Sequence, residues 1–147
     1  MRIQNKNAEQ YLLQSRRELR YNTVDFSYKH LLSKINSEMA IASNRWDRKE
    51  QSQYMIGILT GLPLRGLVIK GYEDNSITII QGKNQILTLV NFVSGTLTIQ
   101  TSEKNHPLKN LKFDDLGSTF RAKFLNNTVR TIVLEPGQDI DLWLSQP

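Results

Sequence analysis

The stretch that most constrains the fold runs from residue 76 to 95: Ser-Ile-Thr-Ile-Ile-Gln-Gly-Lys-Asn-Gln-Ile-Leu-Thr-Leu-Val-Asn-Phe-Val-Ser-Gly. Its β-branched opening predicts a strand, and Ile86, Leu89, Val90 and Val93 fall at helical spacing. One glycine, Gly82, separates the two, so the chain must pass from extended to helical conformation within a few residues. Gly95 is a favourable C′ residue for ending the helix. Such a junction leaves the first helical N–H groups unpaired and pointing at whatever occupies the loop, the usual geometry for holding a phosphate. The loop itself, Gln81, Gly82, Lys83, Asn84 and Gln85, contains no carboxylate to hold a metal or act as a base. Only Lys83 offers a charge against a phosphate.

Elements on either side of the junction follow from the same periodicities. Residues 8–21 are helix-like and carry Arg16, Arg17 and Arg20, with Leu12, Leu13 and Leu19 expected to face the core. Tyr28, Leu31, Leu32 and Ile35 predict a second helix, capped by Asp25 or Ser27. Asp47-Arg48-Lys49-Glu50 is a capping-box variant ahead of Met55, Ile58, Leu59 and Leu62, and Gly61 with Pro63 stops that helix. Residues 66–70 and 76–80 read as short strands joined through Tyr72-Glu73-Asp74-Asn75. Residues 96–100 alternate as a strand does. Phe113, Leu116, Phe120 and Phe124 predict one helix, residues 129–134 a last strand, and Pro136-Gly137 its end. The polar stretch 101–109, with His106-Pro107, is the expected mobile loop. Helices and strands are mixed through a single domain of α+β class, a short mixed sheet with flanking helices, and there is no internal repeat.

Composition decides which function classes remain. A chain of 147 residues has enough sequence for one real core, and its 39% hydrophobic and 22% charged content is that of an ordinary globule. No apolar run is long enough to cross a bilayer and the first eleven residues are too polar for a secretory signal, so a cytoplasmic protein without membrane contact is expected. The absence of cysteine excludes disulfides and thiolate metal or redox sites. His30 and His106 lack metal-ligand spacing, and no metal or cofactor is expected. The net charge of +5 is concentrated: residues 1–49 hold ten Lys or Arg against five Asp or Glu, and the remainder is balanced. Arg16, Arg17, Arg20, Arg45, Arg48 and Lys49 are therefore the candidate contacts for nucleic acid or an acidic partner, with Trp46 as a stacking residue or a core plug.

Other candidate groups have plainer explanations. Asp114-Asp115 is a carboxylate pair in sequence, but neighbours at a helix start point apart and suit capping. Glu73-Asp74-Asn75 has calcium-type ligands without the length of a binding loop. His30 is expected at the surface. Trp143 packs on the domain or meets a partner.

In order along the chain, Trp46-Asp47, Gln51-Ser52, Gly61-Leu62-Pro63-Leu64, the strand with its Gly82 loop, residues 89–92 with Gly95, Phe113-Asp114-Asp115-Leu116 and Phe124-Leu125-Asn126 resemble one known arrangement. It is the ParB/sulfiredoxin-like domain at the N-terminus of modification-dependent restriction enzymes of the GmrSD type. The resemblance covers roughly residues 24–134, which implies a basic helical extension over residues 1–23 and a degenerate ParB-like domain over 24–147. It also implies a loop that in the family reads Asp-Gly-Gln-Gln-Arg and is associated with nucleotide binding and hydrolysis. Here the Asp falls on Gln81, the Gly on Gly82, the two glutamines on Lys83 and Asn84, and the Arg on Gln85. The family's earlier Gln-Arg pair is replaced by Ile41-Ala42-Ser43-Asn44, and Arg45 is out of register with it.

Of the diagnostic residues only Gly82 is kept. Phosphoryl chemistry needs charge at the transferring group and a residue that orients the nucleophile. Loss of one such group typically costs ~10²–10³ in rate, so loss of two predicts a protein that is not an enzyme. In the resembling enzymes the domain continues into further helices and usually a nuclease domain, whereas this sequence ends at Pro147, and a stand-alone copy is expected. The expected function is a non-catalytic binding module, phage- or mobile-element-derived, that docks on a protein complex of host or virus in the cytoplasm. The alternatives are a nucleic-acid-binding accessory protein using the basic first third, a residual nucleotide-dependent nuclease or NTPase, and a self-assembling structural component.

Overall fold

The computed structural model describes residues 2–35, 44–71 and 77–135. Among them the elements are α1 (Arg2–Glu18), β1 (Tyr21–Ser27), α2 (Tyr28–Ser33), α3 (Arg48–Leu59), β2 (Leu67–Gly71), β3 (Ile77–Gln81), α4 (Lys83–Val93), a 3-10 turn (Phe113–Asp115), α5 (Ser118–Leu125) and β4 (Thr128–Leu134). The result is a small α+β domain with a four-stranded mixed sheet in the order β1-β4-β2-β3. β4 runs antiparallel to β1 and parallel to β2, and β2 runs antiparallel to β3.

β1 was not anticipated from periodicity. Helical periodicity on either side places residues 21–27 at the end of one helix and the approach to the next, but Thr23, Val24 and Phe26 are good strand formers, and β1 pairs with residues 128–134 along its whole length. The expected boundary between residues 23 and 24 falls inside this strand. Asp25 is therefore not a helix cap. It stands opposite Arg130 across the ladder, with Oδ1 and Nε 3.6 Å apart on exposed side chains. Ser27 takes the cap, its hydroxyl accepting the His30 N–H at 3.1 Å, and β1 passes into α2 without a linker.

The core lies between one face of the sheet and the helices. Leu67, Ile69 and Val129 project from β2 and β4 onto Ile86, Leu89 and Phe92 of α4, with Met55 and Ile58 of α3 in the same cluster. α4 is buried more completely than an amphipathic surface helix, every residue from Ile86 to Phe92 being buried, because α3 and the 3-10 turn pack against it and its apolar residues share one cluster with those of the sheet. A row of aromatic rings continues the core: Tyr28 on Phe124 (5.5 Å), Phe124 near Phe113 (6.1 Å) and Phe113 on Phe92 (5.8 Å). The capping box is present as expected, with Asp47 Oδ1 accepting the Glu50 N–H at 2.8 Å and Glu50 Oε1 accepting the Asp47 N–H at 3.4 Å.

Three expectations are corrected. Residues 96–100 bury Leu97 and Ile99 alternately, yet they form no strand. Their backbone bonds instead go to Asn91, to Leu111 and Asn110, and to the Ser52 hydroxyl. The helix expected from Phe113 to Phe124 is broken at Leu116 and Gly117, leaving the 3-10 turn and α5, with Phe120 exposed. Asp115 Oδ2 caps the Lys112 N–H at 2.9 Å, while Asp114 turns to Arg121 at 3.7 Å, so the two carboxylates do diverge. Finally, Leu12 and Leu13 do not join the core: they are 54% and 55% exposed, beside Tyr11 at 72%. Three consecutive apolar residues fan around a helix by about 100° each, so they cannot share one buried face.

Residues 73–75, Pro136-Gly137 and Trp143 lie outside the described residues. No described helix is long and apolar enough to cross a membrane.

Candidate binding site

The strand–glycine–helix junction is formed as the sequence requires. Gly82 has φ 88°, in the left-handed region, and a Cβ there would overlap Leu67 Cδ2. Leu67 is a core residue, only 1% exposed, so the loop sits directly on the sheet and leaves no room for a side chain. Gly82 is the N-cap of α4 and supplies no side-chain bond. Lys83 is exposed.

The polar side chains that follow Lys83 are spent on the scaffold. Asn84 Oδ1 accepts the Arg45 N–H at 3.1 Å. The Asn84 carbonyl accepts the Thr88 hydroxyl at 2.6 Å and, at 3.4 Å, the Asn44 amide, which also reaches Thr88 Oγ1 at 3.0 Å. Gln85 Oε1 accepts the Tyr54 hydroxyl at 3.3 Å. Thus the segment 44–46 is laced to the first turn of α4, and α3 is tied to the same turn through Tyr54.

A second set of bonds runs deeper. Asn44 Oδ1 accepts the Trp46 N–H at 2.9 Å, the Trp46 carbonyl accepts Gln51 Nε2 at 2.8 Å, and Gln51 Oε1 accepts Asn91 Nδ2 at 3.0 Å. Asn91 is 5% exposed, and its Oδ1 has no partner among the described residues. Buried polar atoms are normally satisfied, so this chain of amides is a costly interior feature that fixes how Trp46 enters α3. Trp46 is neither a core plug nor free: it is half-buried, with its ring 5.2 Å from that of Tyr54 at 59°.

Trp46 and Tyr54 line an open cleft of about 490 Å³ together with Glu50, Leu62, Pro63 and Arg65. Burial pushes the Tyr54 phenol up to about 12, with Tyr28 adding to the rise and the Arg65 charge opposing it. Tyr28 is raised for the same reason, against a backbone hydrogen bond at Leu64. Both phenols are therefore neutral donors near pH 7, which keeps Tyr54 bonded to Gln85. A neighbouring cleft of about 480 Å³ lies between α3 and the loop after residue 99, lined by Lys49, Thr101, Ser102, Glu103 and His106. His106 Nδ1 accepts the Leu108 N–H at 3.1 Å. Among the described residues, no group of three His, Cys, Asp or Glu could hold a metal ion.

The candidate contact residues divide between elements. Arg16 and Arg17 are in the last turn of α1 and Arg20 is in the link to β1, where its carbonyl accepts the Glu135 N–H at 3.2 Å. Arg45, Trp46, Arg48 and Lys49 instead surround the start of α3, beside the Gly82 loop. His30 is exposed and stacks on Phe26 at 4.9 Å. Asn44, Tyr54, Arg65, Thr88 and Asn91 were not anticipated as site residues. Thr88 and Asn91 did carry a signal, being polar residues three apart within a helix whose other inner positions are apolar.

Fold and site together define a small α+β domain whose strand–glycine–helix junction is a hydrogen-bonded hub beside an aromatic cleft. Compared with protein-family models, with curated proteins and with solved structures, the chain matches none.

Proposed function

We propose that this domain is a non-catalytic binding module, a degenerate relative of the ParB/sulfiredoxin-like domain of GmrSD-type enzymes, that acts by protein–protein contact. In this reading it is a phage or mobile-element factor that docks, in the cytoplasm of a host, on a host or viral nucleic-acid machine. The observation that carries it is the use made of the Gly82 loop. Asn84 and Gln85, at positions where the resembling family performs chemistry, are held by Arg45 and Tyr54 as parts of the framework. Gln81 and Gln85 replace the family's two charged groups, and Lys83, at a position where the family has glutamine, is the loop's one charge.

Calorimetric titration with each common nucleoside triphosphate and magnesium tests this. No saturable heat is expected at micromolar ligand. Micromolar binding that Lys83→Ala abolishes, or turnover lost with the same substitution, would overturn the proposal.

A second reading, a nucleic-acid-binding accessory protein, is favoured by one observation. Arg16, Arg17, Arg45, Arg48 and Lys49 are exposed, and none makes an ion pair among the described residues. Phosphate contacts release counterions, so binding to an oligonucleotide that weakens steeply and log-linearly with salt supports this reading, and its absence removes it.

A further inference from the structure

The sheet has a second face. Side chains alternate along a strand, so Leu67, Ile69 and Val129 on the helix side leave Val68, Ile132 and Leu134 on the other, where the parallel register sets Val68 beside Ile132 and Lys70 beside Leu134. This outer face is closed to water at its centre. Val68 is 4% and Leu134 1% exposed, although neither belongs to the main core cluster. Neighbours within a sheet stand side by side and leave the tips of one another's side chains free, so burial this complete needs a layer on top.

Among the described residues no element supplies that layer. α2, α3, α4, α5 and the 3-10 turn all feed the cluster on the helix side. α1 is exposed from Lys6 to Glu18 apart from half-buried Ser15, whereas a helix that covers a sheet buries a continuous stripe. Two other segments are tied elsewhere at their ends. Residues 36–43 run from Ile35, packed against the helix-side core, to Asn44, bonded to Thr88 of α4. Residues 72–76 join the ends of the antiparallel pair β2 and β3, about 10 Å along the strand from Val68.

The chain after β4 is placed and composed for the task. Leu134 is the last residue of β4, and the next N–H, that of Glu135, is held by the Arg20 carbonyl at 3.2 Å, so the chain leaves the sheet beside the residue that needs covering. Pro136-Gly137 follows, a pair suited to reversing direction. Four of the next seven residues are large and apolar, Ile140, Leu142, Trp143 and Leu144. From Leu134 to Val68 is one strand across and two residues along, about 8 Å, well within reach of this segment. Charge agrees as well. The segment's charged side chains are Asp139 and Asp141, and Lys70, half-buried on the outer face, makes no ion pair among the described residues.

We infer that residues 138–147 fold back over the outer face of the sheet, setting Trp143 and its aliphatic neighbours against Val68, Ile132 and Leu134 and the two aspartates at Lys70. The sheet is then a middle layer, closed on one side by helices and on the other by the chain's own end. This goes beyond the protein-contact reading and withdraws the outer face from the surfaces open to a partner.

The chain has no cysteine, so a pair of them reports proximity without interference. Lys70→Cys is combined in the full-length protein with Asp139→Cys, Asp141→Cys or Trp143→Cys in turn, oxidised at low protein concentration and digested for mass spectrometry. A disulfide needs Cα atoms about 4.4–6.8 Å apart, so at least one of the three pairs is expected to link within the chain. Lys123→Cys, exposed on α5 at the helix side, should link with none of them. In a Trp46→Phe background Trp143 is the one tryptophan, and its native emission is expected to be blue-shifted and protected from acrylamide, moving to the red on unfolding in urea.

Links to Lys123→Cys as frequent as those to Lys70→Cys overturn the inference, as does the absence of any link to Lys70→Cys. Links that form only between chains overturn it too, because a second copy is then the layer. Trp143 emission that is fully quenchable in the folded protein overturns it independently of any cysteine variant, and the disulfide test stands if Trp46→Phe does not fold.

Discussion

Replacing Gly82 with alanine tests whether the loop is a shape or a site. Two costs follow from the structure. The φ of 88° lies where a Cβ meets the following carbonyl, which costs roughly 1–2 kcal/mol for an L-residue. The new methyl also overlaps Leu67 Cδ2, in a core position where overpacking typically costs about 1–3 kcal/mol. The expected loss is about 3 kcal/mol. For a domain of this size each kcal/mol moves the midpoint by roughly 2–4 °C, so Tm should fall by about 6–12 °C. Urea and thermal melts followed by far-UV circular dichroism read this directly. A double-mutant cycle separates the two terms. Leu67→Ala alone should cost about 2–5 kcal/mol through the cavity it leaves, but in the double variant the overlap is gone. The pair should therefore be less destabilised than the sum of the singles by roughly 1–3 kcal/mol. A Gly82→Ala protein within ~0.5 kcal/mol of wild type, or strict additivity with Leu67→Ala, refutes the reasoning.

Asp47→Ala removes the acceptor for the Glu50 N–H and should cost about 1 kcal/mol by urea melt, with Asp47→Asn recovering most of it; equal stability of all three would mean the cap contributes nothing. Asn91→Leu leaves Gln51 Oε1 without its donor and should cost about 1–3 kcal/mol, and a joint Gln51→Leu, Asn91→Leu variant should cost less than the two singles added; full additivity in melts sinks this coupling. The Tyr54 phenol is raised in the fold from 10.0 to about 12, so the folded state favours its neutral form. Its contribution is fully present below pH 10 and is lost as pH rises from 10 towards 12. Ultraviolet titration of phenolate should show Tyr54 and Tyr28 ionising after the exposed tyrosines, and Tyr54→Phe should remove one of these late steps; a late absorbance change that is undiminished in the variant assigns it elsewhere.

Much of this architecture was legible where period and punctuation agreed. The capping box at Asp47, the turn at Gly82 and the helix ending before Gly95 depend on neighbours a few residues apart, and all three form. β1 was missed because its partner, residues 128–134, is about a hundred positions away, and nothing local in Tyr21-Asn22-Thr23 announces that pairing. Residues 96–100 show the opposite failure. Their alternation is real and buries Leu97 and Ile99, but burial against helices produces the same pattern as burial in a sheet. At the site, the glycine was readable and the network was not. Asn84 and Gln85 are polar in sequence, but only the three-dimensional approach of residues 44–46 and Tyr54 turns them inward.

The position of β4 has a consequence for synthesis. It is the last described strand to be made, yet it lies in the interior of the sheet, between β1 and β2. Until residue 134 has left the ribosome, β1 lacks its neighbour and the β2–β3 pair lacks its parallel one, so the nascent chain can hold helices but not this sheet. Closure of so long a loop makes assembly late and all-or-none. A chain halted shortly before Thr128 is expected to be a client for chaperones and proteases, so the cell would hold either whole domains or none.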